Sequence, residues 1–134
     1  MLITLLDEAI TTAVSGVTPD AASRAIGNLG IDSLILQAKF DYGSGGTTAK
    51  AWVQTTFDGG VTWMDIASFA FTTSDATRLY HLTGAAVTSI ATPGDAALAD
   101  NTAVNGFVGS DLRVKITTTG TYAATSLIVT AVAR

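Results

Sequence analysis

The chain has 134 residues, no cysteine and a net charge of −4, and 13% of its residues are charged while 48% are hydrophobic. This length suits one domain with one core, which we expect to span residues 1–134. Without cysteine there is no disulfide, zinc–thiolate or thiol chemistry, and without a basic cluster we expect no nucleic-acid partner. The charge content is about half of the ~25% typical of soluble domains, so we expect self-assembly or a partner to cover part of the surface.

The chain opens on MLITLLDEAITTA, a short apolar run that Asp7 and Glu8 interrupt. It lacks the basic start of a signal peptide, and no segment approaches the roughly 18–20 apolar residues of a membrane helix, so we expect synthesis in a cytoplasm and no membrane partner. Because an uncovered LITLL strand would promote aggregation, residues 1–15 form either an anchoring arm on a neighbouring molecule or the first strand of the fold. The arm's candidate contact residues are Leu2, Ile3, Leu5 and Leu6.

The next segment, residues 7–31, has a weaker pattern for which extended structure is favoured. Within it, DAASRAI could instead form one helical turn capped by Asp20.

From residue 32 onward the hydrophobic period is two, which predicts half-buried strands. Residues 33–42 read SLILQAKFDY, and 43–48, GSGGTT, predict a flexible turn. The apolar face of the first strand consists of Leu34, Leu36, Ala38, Phe40 and Tyr42. In the second strand, residues 49–57, the pattern places Ala51, Val53 and Phe57 opposite Lys50, Trp52 and Gln54.

The remaining pattern predicts strands at 62–71, 77–84, 85–91, 111–120 and 122–134, with 77–91 forming one long strand or two short ones. Residues 92–110 read as a long loop, with or without a short helix at 95–99. Short strands at this spacing with glycine-rich turns predict an all-β fold, a single antiparallel β-sandwich of jelly-roll or Ig-like type.

One stretch, TFDGGVTW at residues 56–63, resembles the Asp-box S-x-D-x-G-x-T-W, with threonine at its first position. In sialidases this box recurs in each of several propeller blades, away from the active site, whereas here it occurs once in a chain too short for a propeller. We therefore interpret it as a hairpin turn in which the aspartate accepts amide hydrogen bonds and glycine supplies positive φ. The residues of this structural turn are Asp58, Gly59, Gly60, Thr62 and Trp63.

Other chemical motifs are weak. His81 lacks a second metal-binding neighbour in sequence, and YGSGGTTAK lacks the ending of a P-loop. Asp65 has no evident partner for glycoside hydrolysis, which requires two placed carboxylates. Three aspartates in the later part of the chain are too far apart in sequence to form an EF-hand loop; they are Asp95, Asp100 and Asp111. We expect no enzyme activity, no cofactor and no metal site.

The strands SLILQAKF, AWVQTTFDGGVTWMDIASFAF and LRVKITTTGTYAATSLIVTAVAR together resemble small structural proteins of tailed bacteriophages, particularly head decoration (cement or auxiliary) proteins. The resemblance covers about residues 32–134 and is one of pattern. It implies a non-enzymatic β-sandwich on the capsid surface of the virion, with the major capsid protein as partner and often a homotrimer at threefold positions. In that group the segment before the sandwich often anchors the protein.

Two alternatives remain. The chain could be another virion component with a similar strand pattern, such as a head fibre base, neck or tail-associated protein. It could also be a carbohydrate-binding β-sandwich that uses Trp52 or Tyr122 as a stacking platform. Because aromatic side chains also anchor protein interfaces, we prefer an interface role for these two residues.

Overall fold

The computed structural model describes residues 2–19, 32–83, 94–104 and 108–134, together with the backbone of residues 24–25. Within them the chain forms antiparallel sheets and no helix, so the predicted all-β sandwich class is confirmed. Residues 95–99 form bends and irregular backbone, not the short helix considered above. The strand predicted at 85–91 lies outside the described residues, as does the DAASRAI segment apart from the short strand at 24–25.

The described strands are β1 (Leu2–Ile10), β2 (Arg24–Ala25), β3 (Ser33–Asp41), β4 (Ser44–Gly45), β5 (Thr48–Thr56), β6 (Met64–Phe71), β7 (Ala76–Thr83), β8 (Asp111–Thr119), β9 (Tyr122–Ala123) and β10 (Thr125–Ala133). The first sheet has the order β1-β10-β3-β7, and the second has the order β2-β8-β5-β6. A small third sheet pairs β4 with β9.

The core lies between the two large sheets, where alternate side chains of each strand point inward. In β3 the predicted apolar positions Leu34, Leu36, Ala38 and Phe40 are fully buried. Aromatic rings join the sheets: Phe40 of β3 stacks on Phe71 of β6 at 4.9 Å between ring centroids, and Phe69 of β6 stacks on Tyr80 of β7 at 4.9 Å. Burial of such apolar surface, at roughly 25 cal/mol per Å², is the main stabilising contribution.

The N-terminal segment is part of the first sheet. Residues 2–10 form β1, which pairs along its length with β10, from Leu2↔Val132 to Ile10↔Thr125. Leu5 and Leu6 are buried in the core, Ile3 packs partly against it, and only Leu2 is largely exposed. Of the two predictions for residues 1–15, the first strand of the fold describes residues 2–10, and a separate anchoring arm does not fit them, because Leu5 and Leu6 are inside the sandwich.

The turn predicted at residues 43–48 is held by the small third sheet. Gly45 pairs with Tyr122, and the Tyr122 hydroxyl donates a hydrogen bond to the carbonyl of Thr72 at 2.7 Å. Gly46 has φ of +70°, and a Cβ added there would lie 2.3 Å from the Tyr122 ring. Glycine is required at this position because the aromatic ring occupies the space of a side chain.

Candidate functional site

The hairpin between β5 and β6 is closed by the side chains of Thr56 and Asp58. Asp58 Oδ1 accepts hydrogen bonds from the Thr56 hydroxyl at 2.9 Å and from the Thr62 amide at 2.8 Å, while Thr56 Oγ1 accepts one from the Gly60 amide at 3.0 Å. Gly59 and Gly60 supply the positive φ values of the turn, +73° and +95°. The Thr62 amide, followed by the Thr62 hydroxyl, holds the pKa of the Asp58 carboxyl below its usual 3.8. The Asp-box aspartate thus acts within its own turn.

Trp63 connects this hairpin to the neighbouring strand of the second sheet. Its indole Nε1 donates a hydrogen bond to the Gly60 carbonyl at 3.0 Å. The guanidinium carbon of Arg113, on β8, lies 4.2 Å from the centroid of the Trp63 ring, which is a cation–π distance. Trp63 therefore stabilises the hairpin by joining it to Arg113 of β8.

A loop segment, residues 94–104, lies along β6 and is here called the strap. Its backbone continues the second sheet: the amide of Val104 donates to the carbonyl of Ile66, and the amide of Ser68 donates to the carbonyl of Thr102, both at 2.8 Å. The outer edge of β6 is thereby paired with the chain's own strap, which also crosses the outer face of the sheet.

Asp65 accepts four hydrogen bonds, and three of them, from strap amides, fasten the strap to the sheet. Its Oδ1 accepts from the Ala96 amide at 2.9 Å and from Gln54 Nε2 at 2.8 Å. Its Oδ2 accepts from the amides of Ala97 at 2.7 Å and Leu98 at 2.9 Å. Asp65 is fully buried, and a buried carboxylate is tolerated when its oxygens are saturated in this way.

Asp95, at the start of the strap, connects this cluster to two cations on β8. Lys115 Nζ lies 2.7 Å from its Oδ1, Arg113 Nη2 lies 3.8 Å from its Oδ2, and Gln54 Nε2 donates to Oδ1 at 2.6 Å. Partial burial by itself raises the pKa of Asp95, but the bonds from Lys115 and Gln54 and the charge of Lys115 together bring that pKa below its usual value. Partial burial lowers the pKa of Arg113, which the negative charge of Asp95 opposes.

These polar groups form a structural cluster on the outer face of the second sheet. Asp65 is engaged by strap amides and Asp95 by the two cations, so the cluster uses its carboxylates to hold the strap in place. The sequence did carry a signal for this cluster. Asp65 is the only charged residue of β6, where it lies between Met64 and Ile66, and a buried carboxylate requires hydrogen-bond donors. The sequence did not identify the strap as the source of those donors.

Two aromatic residues considered as stacking platforms or interface anchors are inside the molecule. Trp52 is 8% exposed and donates its indole hydrogen bond to the carbonyl of Leu98 in the strap at 3.2 Å. Tyr122 is 1% exposed. Conversely, Phe57, expected to point inward, is 56% exposed, because β5 ends at Thr56 and Phe57 begins the turn. Neither the stacking-platform hypothesis nor the preferred interface role fits Trp52 and Tyr122, because neither a ligand nor a partner can reach their rings.

The outer face of the first sheet differs from that of the second. Residues directly opposite each other in antiparallel strands point to the same side, which defines three rows across the four strands. The rows are Leu2–Val132–Ile35–His81, Thr4–Thr130–Gln37–Leu79 and Asp7–Ile128–Lys39–Thr77. Leu2 and Leu79, at opposite sides of the sheet, are 69% and 62% exposed. We call this surface the Leu2–Leu79 face.

The Leu2–Leu79 face combines apolar and threonine side chains with few charges. Its charged side chains are Asp7, Lys39 and Asp41, and Lys39 Nζ lies 4.0 Å from Asp41 Oδ2. The two longest described segments outside strands, residues 11–19 and the strap, both bond to the second sheet and not to this face. In the described part of the chain, the Leu2–Leu79 face is the best candidate for an interaction surface.

Among the described residues, no helix is long and apolar enough to cross a membrane. Within the same ranges, no three side chains of histidine, cysteine, aspartate or glutamate come together as a metal site would require. No protein-family model, no curated protein and no solved structure matches the chain.

Proposed function

We propose that this protein is a non-enzymatic structural component of a bacteriophage virion, a decoration protein that binds the outer surface of the major capsid shell. The observation that carries the proposal is the Leu2–Leu79 face, a broad sheet surface on which apolar and threonine side chains outnumber the other polar and charged ones. The proposal also draws on the resemblance of residues 32–134 to such proteins, which concerns the pattern of their strands.

The dimensions of the face suit a docking role. Four strands of eight or nine residues cover about 15–20 Å by 25–30 Å, from the usual strand spacing and rise. A standard protein interface buries about 800 Å² on each partner, so this face, with a projected area of about 400–600 Å², can form about half to three-quarters of one. The β-branched threonine, valine and isoleucine side chains of this face are compact and permit close approach, and apolar area supplies affinity without any chemical step.

The other features support a stabilising role over a catalytic one. The carboxylates Asp58, Asp65 and Asp95 are engaged in holding the hairpin and the strap. A cement function requires a rigid body that adds contact area between capsid subunits. The acidic net charge of −4 also disfavours adhesion to nucleic acid. Self-association is part of this proposal, and the trimeric number comes from the resemblance alone.

Quantitative mass spectrometry of particles purified from the producing host tests this proposal. A decoration protein is present in many copies, in a constant ratio to the major capsid protein. A few copies per particle would instead indicate a neck, fibre-base or tail-associated component. Absence from purified particles would contradict a virion function.

The face itself is tested by rebinding labelled protein to particles from which it has been removed. Thr130→Arg places a charge at the centre of the Leu2–Leu79 face and should weaken rebinding at least tenfold. Val61→Arg, at the exposed tip of the β5–β6 hairpin, is the matched control and should leave rebinding unchanged. The opposite ranking of the two variants would show that the hairpin end, and not this face, contacts the capsid.

A further inference from the structure

The strap is held on the second sheet by hydrogen bonds and ion pairs, and it adds no side chain to the hydrophobic core. None of the side chains of residues 94–104 is buried, and none belongs to the core cluster. Its attachments are the three amide bonds to Asp65, the ion pairs of Asp95 and Asp100, and backbone bonds to β6. Segments with few buried apolar contacts open more readily than core strands do.

The backbone of the strap is strained in this position. Ala96 has φ of +57° and Asn101 has φ of +54°, both in the left-handed region, where the Cβ of an L-residue meets the following carbonyl oxygen. Asparagine tolerates this region better than alanine does, so the strain is greatest at Ala96. The amide of Ala96 donates to Asp65 Oδ1 at 2.9 Å, so this hydrogen bond acts directly against the relaxation of the strained residue.

The ion pairs of the strap are open to solvent. The side chain of Asp95, which contacts Arg113 and Lys115, is 48% exposed. In the second pair the side chains of Lys50 and Asp100 are 36% and 50% exposed. Water and salt screen such pairs, so each of them stabilises the seated strap only weakly.

The sheet beneath the strap has its own, stronger support. Gln54 and Asp65 are fully buried, and Trp52 is 8% exposed. The strand that carries Trp52 and Gln54, β5, pairs with β6 on one side and with β8 on the other. Because its backbone bonds lie inside the sheet and its inward side chains lie in the core, β5 can stay folded when the strap leaves.

We propose that the strap is a lid that opens and closes on the folded sandwich. In the closed state it covers Trp52 and pairs with the edge of β6. Opening breaks the amide bonds to Asp65, removes the strap from Trp52, and releases the carbonyl of Ile66 and the amide of Ser68 from their strap partners. Free backbone groups at a sheet edge can pair with a strand of another molecule, so the lid controls access to this edge. This device is independent of the capsid role proposed above.

Hydrogen exchange of the folded, full-length chain in low concentrations of urea tests the opening. The amides bonded across the lid, those of residues 96–98 and of Ser68, should be protected at least about 100-fold less than the amides of Leu36 and Ala38 in the first sheet. Their exchange should also depend little on urea, because opening the lid exposes much less surface than global unfolding does.

Two substitutions should shift the lid in opposite directions. Ala96→Gly removes the strain of the closed state and should slow exchange of the strap amides roughly threefold, the relief of strain exceeding the added freedom of glycine in the open state. Asp95→Asn weakens the contacts with the two cations of β8 and should accelerate this exchange roughly threefold. The matched control is Asp41→Asn, which removes the exposed pair with Lys39 on the first sheet and should leave strap exchange unchanged.

The same measurements can overturn the proposal. If the strap amides had the protection and the urea dependence of Leu36 and Ala38, the strap would leave only when the whole domain unfolds. Unprotected strap amides in the wild type would mean that the closed state does not form. Faster exchange in Ala96→Gly, or slower exchange in Asp95→Asn, would show that strain and charge do not set the equilibrium. Circular dichroism verifies that each variant is folded, and rebinding to particles tests the capsid role separately.

Discussion

The carboxylate of Asp65 on β6 lies 2.7 Å from the amide nitrogen of Ala97, a residue 32 positions later in the chain. This bond, with those to the amides on either side of Ala97, anchors the strap over the second sheet. The strap in turn covers Trp52 and completes the edge of β6. This buried side chain is therefore one of the main contacts that hold the strap over the second sheet.

Replacing Asp65 should release the strap. Asp65→Asn places an NH₂ group against backbone donors, leaving buried polar groups unsatisfied, and should lower the free energy of unfolding by about 2–4 kcal/mol. Urea denaturation measures this change, and hydrogen exchange should accelerate at the amides of residues 96–98. Asp100→Asn is the control: Asp100 forms a solvent-exposed pair with Lys50 at 3.1 Å, and its loss should cost under ~1 kcal/mol. Equal costs for the two variants would contradict the role assigned to Asp65.

Replacing Asp58 should weaken the hairpin in a pH-dependent manner. Its pKa is lowered in the folded state, chiefly by the Thr62 amide, so its contribution to stability is fully present above its usual value of 3.8. That contribution is lost as the pH falls from 3.8 through the lowered folded pKa. Asp58→Ala should therefore melt a few degrees below the wild type at neutral pH, and the difference should shrink in strong acid.

Thermal melts at several pH values measure the effect of Asp58→Ala. The matched control is Asp7→Ala, which removes an exposed carboxylate from β1 and should give a small difference throughout. A gap between Asp58→Ala and the wild type that widens as the pH falls would have the wrong sign for a turn-stabilising carboxylate.

The two ends of β1 should respond differently to truncation of their leucines. Leu6→Ala removes a side chain that is 1% exposed and should cost about 2–5 kcal/mol. Leu2→Ala removes one that is 69% exposed and should change stability by less than about 0.5 kcal/mol. Chemical denaturation compares them. If Leu6→Ala were as stable as Leu2→Ala, β1 would be an arm and not a core strand.

Alanine substitutions at two glycines with similar backbone angles should distinguish the cost of backbone strain from the cost of a steric clash. Gly46 and Gly16 have φ of +70° and +60°, but a Cβ at Gly46 meets the Tyr122 ring at 2.3 Å, whereas one at Gly16 meets nothing within 4 Å. Gly16→Ala should cost about 1–2 kcal/mol, the penalty of an L-residue in the left-handed region. Gly46→Ala should cost clearly more, because the ring must move. Equal costs would show that the small third sheet adjusts without strain.

The two tryptophans should differ in fluorescence. In Trp63→Phe the remaining Trp52 is buried beneath the strap, so its emission should be blue-shifted and resist acrylamide quenching. In Trp52→Phe the remaining Trp63 is only partly buried at the hairpin and should be quenched more strongly. Strong quenching of Trp52, or a spectral change on adding oligosaccharides, would reopen its role as a stacking platform.

The strands after residue 32 and the hairpin could be predicted from the sequence, because both are determined by residues that are close together in the chain. Period-two alternation decides which side of a strand is apolar, and the DGG turn needs positive φ and a nearby oxygen acceptor. The burial of alternate residues of β3 from Leu34 to Phe40 and the hydrogen bonds of Asp58 follow from these short-range requirements. For the same reason the outward positions of β3 were predictable.

Whether an outward-facing side chain is exposed to solvent is decided by the tertiary structure, because a distant part of the chain can pack against it. Trp52 alternates with buried residues as a solvent-facing side chain would, yet the strap, more than 40 residues away, covers it. The same holds for β1, whose leucines read equally well as an arm or a core strand until β10, at the far end of the chain, pairs with them. Composition and alternation thus determined the fold class and the turn. Long-range pairing decided that the strap covers the outer face of the second sheet and pairs with the edge of β6, since these depend on contacts that no local period encodes.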